Sequence, residues 1–341
     1  MNKSRILILV HKDLVPPDSI EGYAEDKYWE WKTEYDVIST LRDEGHDVMT
    51  LGVEENLNDI RQALREFKPH ITFNLLEEFH GSSLYDHHIA SFLELSRVKY
   101  TGCNPRGLML CHDKGLSKKI LAYHKVNVPH FHVFPRGRKI QIPKKLRFPL
   151  MVKSLIEDGS YGISQASIVH TEDKCRERIE YLHEQLETPA IAEEYIDGRE
   201  IYTCISGNQR LTTYPLVELV FKKLREGAPR IATYRVKWDW KYQEAQGIDT
   251  IIATDLPPVL VEKINRLAKR IYRTLGLSGY ARLDFRITDE EKIYFLEANP
   301  NPDIAYGEEL SVATEAAGMQ YRDLLYRVIQ LGRQYRPGST A

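Results

Sequence analysis

Two segments near the C-terminal end carry residue types that do chemistry. Tyr280-Ala-Arg-Leu-Asp-Phe-Arg-Ile287 and Lys292-Ile-Tyr-Phe-Leu-Glu-Ala-Asn-Pro-Asn301 flank a polar turn, Thr288-Asp-Glu-Glu291. Apolar and polar residues alternate in the first segment, which predicts a strand with Arg282, Asp284 and Arg286 on one face. The second predicts a strand with Phe295, Glu297 and Asn299 on one face. A turn from Asp289 to Lys292 sets Asp284 opposite Glu297 and Arg282 opposite Asn299. Two carboxylates, an amide oxygen and a guanidinium then converge. Such oxygen donors suit a hard cation, Mg2+ or in its place Mn2+. A neighbouring arginine suits a phosphate, so the patch points to nucleotide chemistry.

A second motif lies upstream. Lys153 ends the short strand Phe148-Pro-Leu-Met-Val-Lys153, and Glu157-Asp-Gly-Ser-Tyr-Gly162 follows. A lysine fixed on a strand neutralises phosphate oxygens, and the small residues Gly159, Ser160 and Gly162 let backbone N–H groups approach them. The lysine precedes the glycines, so this is not a Walker loop. Alone, the motif is a weak signal, because a lysine before a surface hairpin is the commoner case. Trp238 and Trp240 read as packing aromatics.

The elements that must position these residues fall into two kinds. Residues 5 to 100 alternate strand and helix: strands Ile6 to Val10, Asp47 to Leu51 and His70 to Leu75, with helices Thr33 to Glu44, Asn58 to Phe67 and Asp86 to Leu95. That order predicts a small parallel sheet. The long loop from Asp13 to Trp31 sits where strand C-terminal ends usually hold function. Beyond Thr101, helices are expected over Asp113 to His124, Glu172 to Leu186, Pro257 to Leu275 and Thr314 to Leu331, and strands over Ala190 to Ile196 and Glu200 to Ile205. The tail from Arg333 reads as frayed. The 341 residues carry 47 basic and 49 acidic side chains, a formal charge of -2 that offers no field for nucleic acid or anionic membrane. No apolar run approaches the ~20 residues of a membrane span. The apolar run Ile6 to Val10 is too short for a signal peptide, so a cytoplasmic location is expected. Cys103, Cys111, Cys175 and Cys204 show no C-x-x-C spacing and read as reduced thiols.

Together these segments resemble the ATP-grasp superfamily, and within it the D-alanine–D-alanine ligases, over nearly the whole chain. The resemblance implies an α/β fold: a Rossmann-like parallel-sheet domain at 1–105, then two α+β lobes clamping ATP at 106–188 and 189–332, with a tail at 333–341. His112-Asp-Lys-Gly-Leu-Ser-Lys118 is similar to the family's helix start that supplies a first phosphate lysine, here Lys114. Lys153 and the 157–162 loop stand for the second lysine and the phosphate-covering loop. Glu193-Glu-Tyr-Ile-Asp-Gly-Arg-Glu200 resembles the adenosine stretch, which implies Glu193 and the backbone at Ile196 beside adenine and Glu200 on the ribose. Tyr234-Arg-Val-Lys-Trp238 resembles the segment whose lysine, here Lys237, meets phosphate. Asp284, Glu297 and Asn299 match the metal ligands, and Arg282 the transition-state arginine.

The implied activity is ATP-driven joining of a carboxylate to an amine, both small molecules such as amino acids or peptides, through an acylphosphate; a homodimer is implied as well. The substrate half departs from the family pattern. Glu77-Glu-Phe-His-Gly-Ser-Ser83, with His80, replaces the family's His-Gly and Glu-Asp-Gly segment, and Asn299-Pro-Asn-Pro-Asp303 replaces Asn-x-x-Pro-Gly. A family serine that meets the second substrate's carboxylate falls near Glu308 by count. Asp303, Glu308 and Glu309 make that side acidic, which predicts a substrate pair other than two D-alanines. A true D-alanine–D-alanine ligase, an ATP-grasp kinase and a non-catalytic nucleotide-binding module are the alternatives.

Overall fold

The computed structural model describes residues 3–223 and 229–338. The N-terminal sheet is parallel, ordered β2-β1-β3, from β1 (Arg5–His11), β2 (Asp47–Val53) and β3 (Ile71–Asn74). Its helices are α1 (Glu25–Glu30), α2 (Lys32–Asp43), α3 (Leu57–Phe67) and α4 (Asp86–Leu95). β1 is apolar from Ile6 to Val10 because both of its faces are covered there. Ile6, Ile8 and Val10 share a core with Val37 and Leu41 of α2, while Leu7 and Leu9 share one with Ile60 and Leu93.

A four-stranded antiparallel sheet follows, ordered β4-β7-β5-β6: β4 (Phe131–Phe134), β5 (Leu150–Ser154), β6 (Ile168–Val169) and β7 (Ala190–Glu194). α5 (Pro105–His112) and α6 (Lys114–Tyr123) precede it, and α7 (Glu172–Gln185) packs on it. The largest sheet is antiparallel and ordered β11-β10-β8-β12-β13, with β9 beside β8. Its strands are β8 (Arg199–Ser206), β9 (Thr212–Thr213), β10 (Val217–Phe221), β11 (Ile248–Ile252), β12 (Tyr280–Ile287) and β13 (Ile293–Pro300). Its helices are α8 (Tyr234–Trp238), α9 (Trp240–Gln246), α10 (Pro258–Thr274), α11 (Glu309–Ala316) and α12 (Tyr321–Gln334). This is the α/β arrangement expected: a parallel N-terminal sheet followed by two mixed lobes.

The register of β12 and β13 holds the main surprise. Arg282 faces Asn299 and Asp284 faces Glu297, as expected. Yet Ile287 pairs with Ile293, so the turn runs from Thr288 to Lys292, one residue longer than expected. The pairing survives because Leu296 is an extra residue on β13, where the register shifts. The bulge turns Phe295 to the core, opposite Phe285 with ring centroids 6.2 Å apart. Phe295 therefore does not share the face of Glu297 and Asn299, because strict alternation stops at a bulge.

Other expectations also change. β7 hydrogen-bonds between β4 and β5, so by pairing the lobe boundary falls after Glu194 rather than at 188/189. The single helix expected over Thr314 to Leu331 is two helices, divided around Gly318 (φ 83°), whose left-handed backbone ends the first. The start of the tail is docked: Tyr335 is buried and its hydroxyl donates to Glu94 at 3.0 Å. Residues 339–341 lie outside the described residues. The long loop after β1 contains α1, and α5 had no counterpart in the sequence reading, although Asn104 accepting from the Gly107 N–H before Pro105 is an ordinary helix start.

α12 lies close over the N-terminal domain at Gly332. A Cβ there would collide with the backbone carbonyl of Tyr100 and sit 3.0 Å from Ile71 Cδ1. Gly332→Ala gains roughly 1 kcal/mol of helix propensity but overpacks a backbone contact. A net loss of roughly 1–3 kcal/mol is expected, read as a lower urea midpoint; an unchanged or higher midpoint contradicts this packing.

Candidate active site

The face of β12 and β13 presents one connected charge system. The Arg282 guanidinium grips Asp284 with two bonds, Nε to Oδ1 at 2.8 Å and Nη2 to Oδ2 at 3.0 Å. Its third nitrogen donates to Glu309 at 2.9 Å, and its plane lies 4.8 Å from the Tyr202 ring centroid. Asn299 Nδ2 donates to Asp284 Oδ2 at 3.0 Å, which leaves the amide oxygen free to coordinate. Burial raises the Asp284 pKa, opposed by Arg282. Burial would do the same to Glu297, but Lys153, then Lys114 and Lys237, hold it well below the usual carboxylate range. Two carboxylates and an amide carbonyl on paired strands form an all-oxygen donor set, which fits Mg2+.

The lysines come from other elements. Lys153, on β5, lies 3.5 Å from Glu297 and 3.9 Å from Glu193. Lys118, one helical turn beyond Lys114 on α6, is fully buried, 3.4 Å from Glu193, and donates to the carbonyl of the bulge residue Leu296. Burial lowers its pKa to about 8 in spite of Glu193. Sequence reading assigned Lys118 no role; its spacing from Lys114 was the available signal. Lys153, Ser160, Glu193, Ile196, Glu200 and Lys237 line one pocket with Asp284 and Glu297. Glu200 accepts from Tyr202 at 2.9 Å and from Arg286 at 2.6 Å.

The 157–162 loop closes one side. Gly159 and Ser160 are both left-handed (φ 61° and 60°), and the loop turns back on itself through Tyr161 N–H on the Asp158 carbonyl and Ile163 N–H on the Ser160 carbonyl. The loop is fastened by Trp238 Nε1 on the Gly159 carbonyl at 2.8 Å, by Ser160 Oγ on Ala232 O at 2.7 Å, and by Arg178 on the Gly162 carbonyl. Trp238 and Trp240 are both exposed, so the packing role read from sequence does not hold for either. Lys114 reaches Glu157 O at 2.8 Å and Asp158 Oδ1 at 2.6 Å. His112 bridges Asp86 (2.9 Å) and Asp158 (3.3 Å) in charge contacts poorly aligned for hydrogen bonds. Burial opposes protonation of His112, but the two carboxylates push its pKa up to about 10.

At the far end Asp303 accepts from Thr33 Oγ1 at 2.7 Å and from the Ala305 N–H at 2.8 Å. Glu308 lies 3.6 Å from Lys32, which also donates to the Tyr306 carbonyl. Burial, then Asp303 and Glu309, raise the Glu308 pKa. His80 is not brought to this cleft: it is 62% exposed and faces Glu55 at 3.2 Å. Lys32, Thr33 and Glu34 carry no local signal in the sequence, because their approach depends on α2 docking against the segment after β13.

Two mixed lobes closing on a pocket of lysines, carboxylates and a fastened glycine loop define an ATP-grasp enzyme. Residues 113–330 match the family model described as D-ala D-ala ligase C-terminus, and the chain belongs to that family of ATP-dependent ligases forming C–N bonds. D-alanine–D-alanine ligase A of Bacillus cereus is 27% identical over 317 residues, 92% of this chain and 97% of that protein. The D-alanine–D-alanine ligase of Syntrophotalea carbinolica is 30% identical over 275 residues, 80% of this chain and 81% of its own. An uncharacterized protein of Sinorhizobium fredii, y4sG, is 27% identical over 306 residues, 87% of this chain and 86% of its own. The Bacillus anthracis D-alanine–D-alanine ligase complexed with ATP superposes with a TM-score of 0.74 at 23% identity, covering 96% of this chain and 97% of that one. The VanG D-Ala:D-Ser ligase of Enterococcus faecalis gives 0.70 at 18%, covering 97% and 100%. At these identities the structures speak for the fold. No helix among the described residues is long and apolar enough to cross a membrane.

The His112 bridge has a signed pH dependence. Its folded pKa, about 10, lies above the ordinary 6.5. Its stabilisation is therefore complete below about 6.5 and lost as pH rises through about 10. The gap in thermal midpoint between the nucleotide-free protein and His112→Asn is expected to shrink across that window; a gap that grows contradicts the bridge.

Proposed function

We propose that the chain joins a small-molecule carboxylate to an amine at the expense of ATP, with a substrate pair other than two D-alanines. What carries this reading is the combination of Arg282 clamped on Asp284, opposite Glu297 and beside Lys153, with an acidic rather than neutral acceptor end. Asp284, Glu297 and Asn299 would hold Mg2+ (or Mn2+), which screens phosphate oxygens when bound. The donor carboxylate attacks the γ-phosphorus, ADP leaves, and an acyl phosphate forms. The amine nitrogen then attacks the acyl carbon. The C–N bond forms, the C–O bond to phosphate breaks, and the nitrogen loses a proton to water.

Each residue has a physical task. Lys114, Lys153 and Lys237 neutralise phosphate oxygens. Arg282 stabilises the oxyanion of the tetrahedral step. Glu193 and the backbone at Ile196 face the adenine, and Glu200 the ribose hydroxyls. Gly159, Ser160 and Gly162 let the loop cover the phosphates and exclude water from the acyl phosphate. Phosphate must take Lys114 from Asp158, so nucleotide binding and loop rearrangement are linked. The reaction belongs in the cytoplasm, where ATP is supplied.

Phosphate release measured with ATP, Mg2+ and paired panels of carboxylates and amines tests the reading. Release that requires both partners is expected, and Glu297→Gln should lower it at least about 100-fold with unchanged near-UV circular dichroism. A stable phosphorylated product formed without amine would mean a kinase. Turnover of D-alanine alone, faster than any other pair, would mean a D-alanine–D-alanine ligase.

A further inference from the structure

The segment after β13 carries a row of carboxylates away from Arg282. Glu309 is bonded to Arg282, Glu308 follows it, and Asp303 is held in place by Thr33 Oγ1 and the Ala305 N–H. Two more carboxylates meet this row from the N-terminal domain. Glu34 lies in the first turn of α2, and Glu77 lies just beyond β3. Their charges and that of Asp303 act on one another.

The wall is short of cations. Lys32, 3.6 Å from Glu308, is also spent on the Tyr306 carbonyl. Among the described residues no lysine, arginine or histidine comes within 4.0 Å of the carboxylates of Glu34, Glu77 or Asp303. Glu34 is the telling member. It is 94% buried (6% exposed), and among the described residues its carboxylate has no polar partner beyond its own backbone N–H. Burial, then the fields of Glu77 and Asp303, push its pKa up to about 8. A buried carboxylate without a partner is costly. Nothing in the packing requires one here, since α2 already presents Val37, Ile38 and Leu41 to the core.

We propose that Glu34, Glu77, Asp303 and Glu308 form a cation subsite for a second positive group on the amine acceptor, an ammonium or guanidinium separate from the reacting nitrogen. The acceptors are then diamines or basic amino acids. The reacting amine lies toward Arg282, where the oxyanion develops, and the distal cation lies among the four carboxylates. A neutral-chain amino acid would leave the wall unpaired and set its own carboxylate against Glu308. This inference rests on the ligase reading of the same cleft.

Hydroxylamine separates the two ideas, because it traps an acyl phosphate without offering a second cation. Hydroxamate formed from a panel of carboxylic acids with ATP and Mg2+ reports the ligase half-reaction. With the best acid fixed, initial rates are compared for 1,4-diaminobutane, L-lysine, L-arginine, butylamine and D-alanine. The dicationic acceptors should show a KM at least about tenfold below butylamine, the size of one charge-assisted hydrogen bond. Glu34→Gln and, separately, the exposed-site variant Glu77→Gln should erase most of that preference and keep hydroxamate formation. Glu77→Gln keeps the test decisive if Glu34→Gln does not fold. Hydroxamate formation with butylamine or D-alanine preferred, or a diamine preference unmoved in the folded variants, overturns the subsite. No hydroxamate from any acid overturns the ligase reading and the subsite together.

Discussion

The pairing of Asp284 with Glu297 across a bulged hairpin is the constraint on which the site depends. The turn is one residue longer than the shortest fit, and Leu296 adds one residue on the return strand, so the two changes cancel where Asp284 faces Glu297. The bulge also does work that a regular strand could not. It sends Phe295 into the core, leaves the Leu296 carbonyl for Lys118, and keeps Glu297 within reach of Lys153. One inserted residue thus separates packing from chemistry on a strand that must supply both.

Around that hairpin, buried charges of opposite sign alternate. Lys153 lies between Glu193 and Glu297, and Lys118 shares Glu193. Burying each charge alone would cost several kcal/mol, so every member depends on its neighbours, and the Lys153–Glu297 pair joins the central lobe to the C-terminal one. The closed geometry is therefore tied to the charges themselves. Asp158 gives Lys114 a protein anion to hold, and His112 fixes that anion to the N-terminal domain through Asp86. The 157–162 loop, Lys114 and the N-terminal domain are coupled through Asp158, His112 and Asp86.

Much of this was legible in the residues. The facing of Asp284 with Glu297 agrees with the sequence expectation only because the longer turn and the Leu296 bulge cancel, whereas the parallel N-terminal sheet follows from its βαβ order. The phosphate lysines and adenosine residues were reached through resemblance; Lys153, Lys237, Glu193, Ile196 and Glu200 line one pocket, and Lys114 lies outside its lining. What the sequence did not disclose has physical reasons. A bulge breaks alternation without changing composition, so Phe295 was placed on the wrong face. β7 looks like any strand, and only its hydrogen-bonding partners assign it to the central lobe. Lys118 reads as an ordinary helical lysine until Leu296 offers it a carbonyl. Glu34 reaches the acceptor end by tertiary docking of α2, and Glu77 by the position of the segment beyond β3, neither of which local spacing encodes. His80 was chosen from a His-Gly match, yet its left-handed backbone (φ 55°) turns it toward Glu55.

The most direct test of the central claim is the anomalous difference density of Mn2+ in a crystal of the protein with a non-hydrolysable ATP analogue. The account predicts manganese coordinated by the carboxylates of Asp284 and Glu297 and the amide oxygen of Asn299, with the γ-phosphate between the metal and Arg282. Nucleotide bound in the pocket with manganese away from all three oxygens would contradict it.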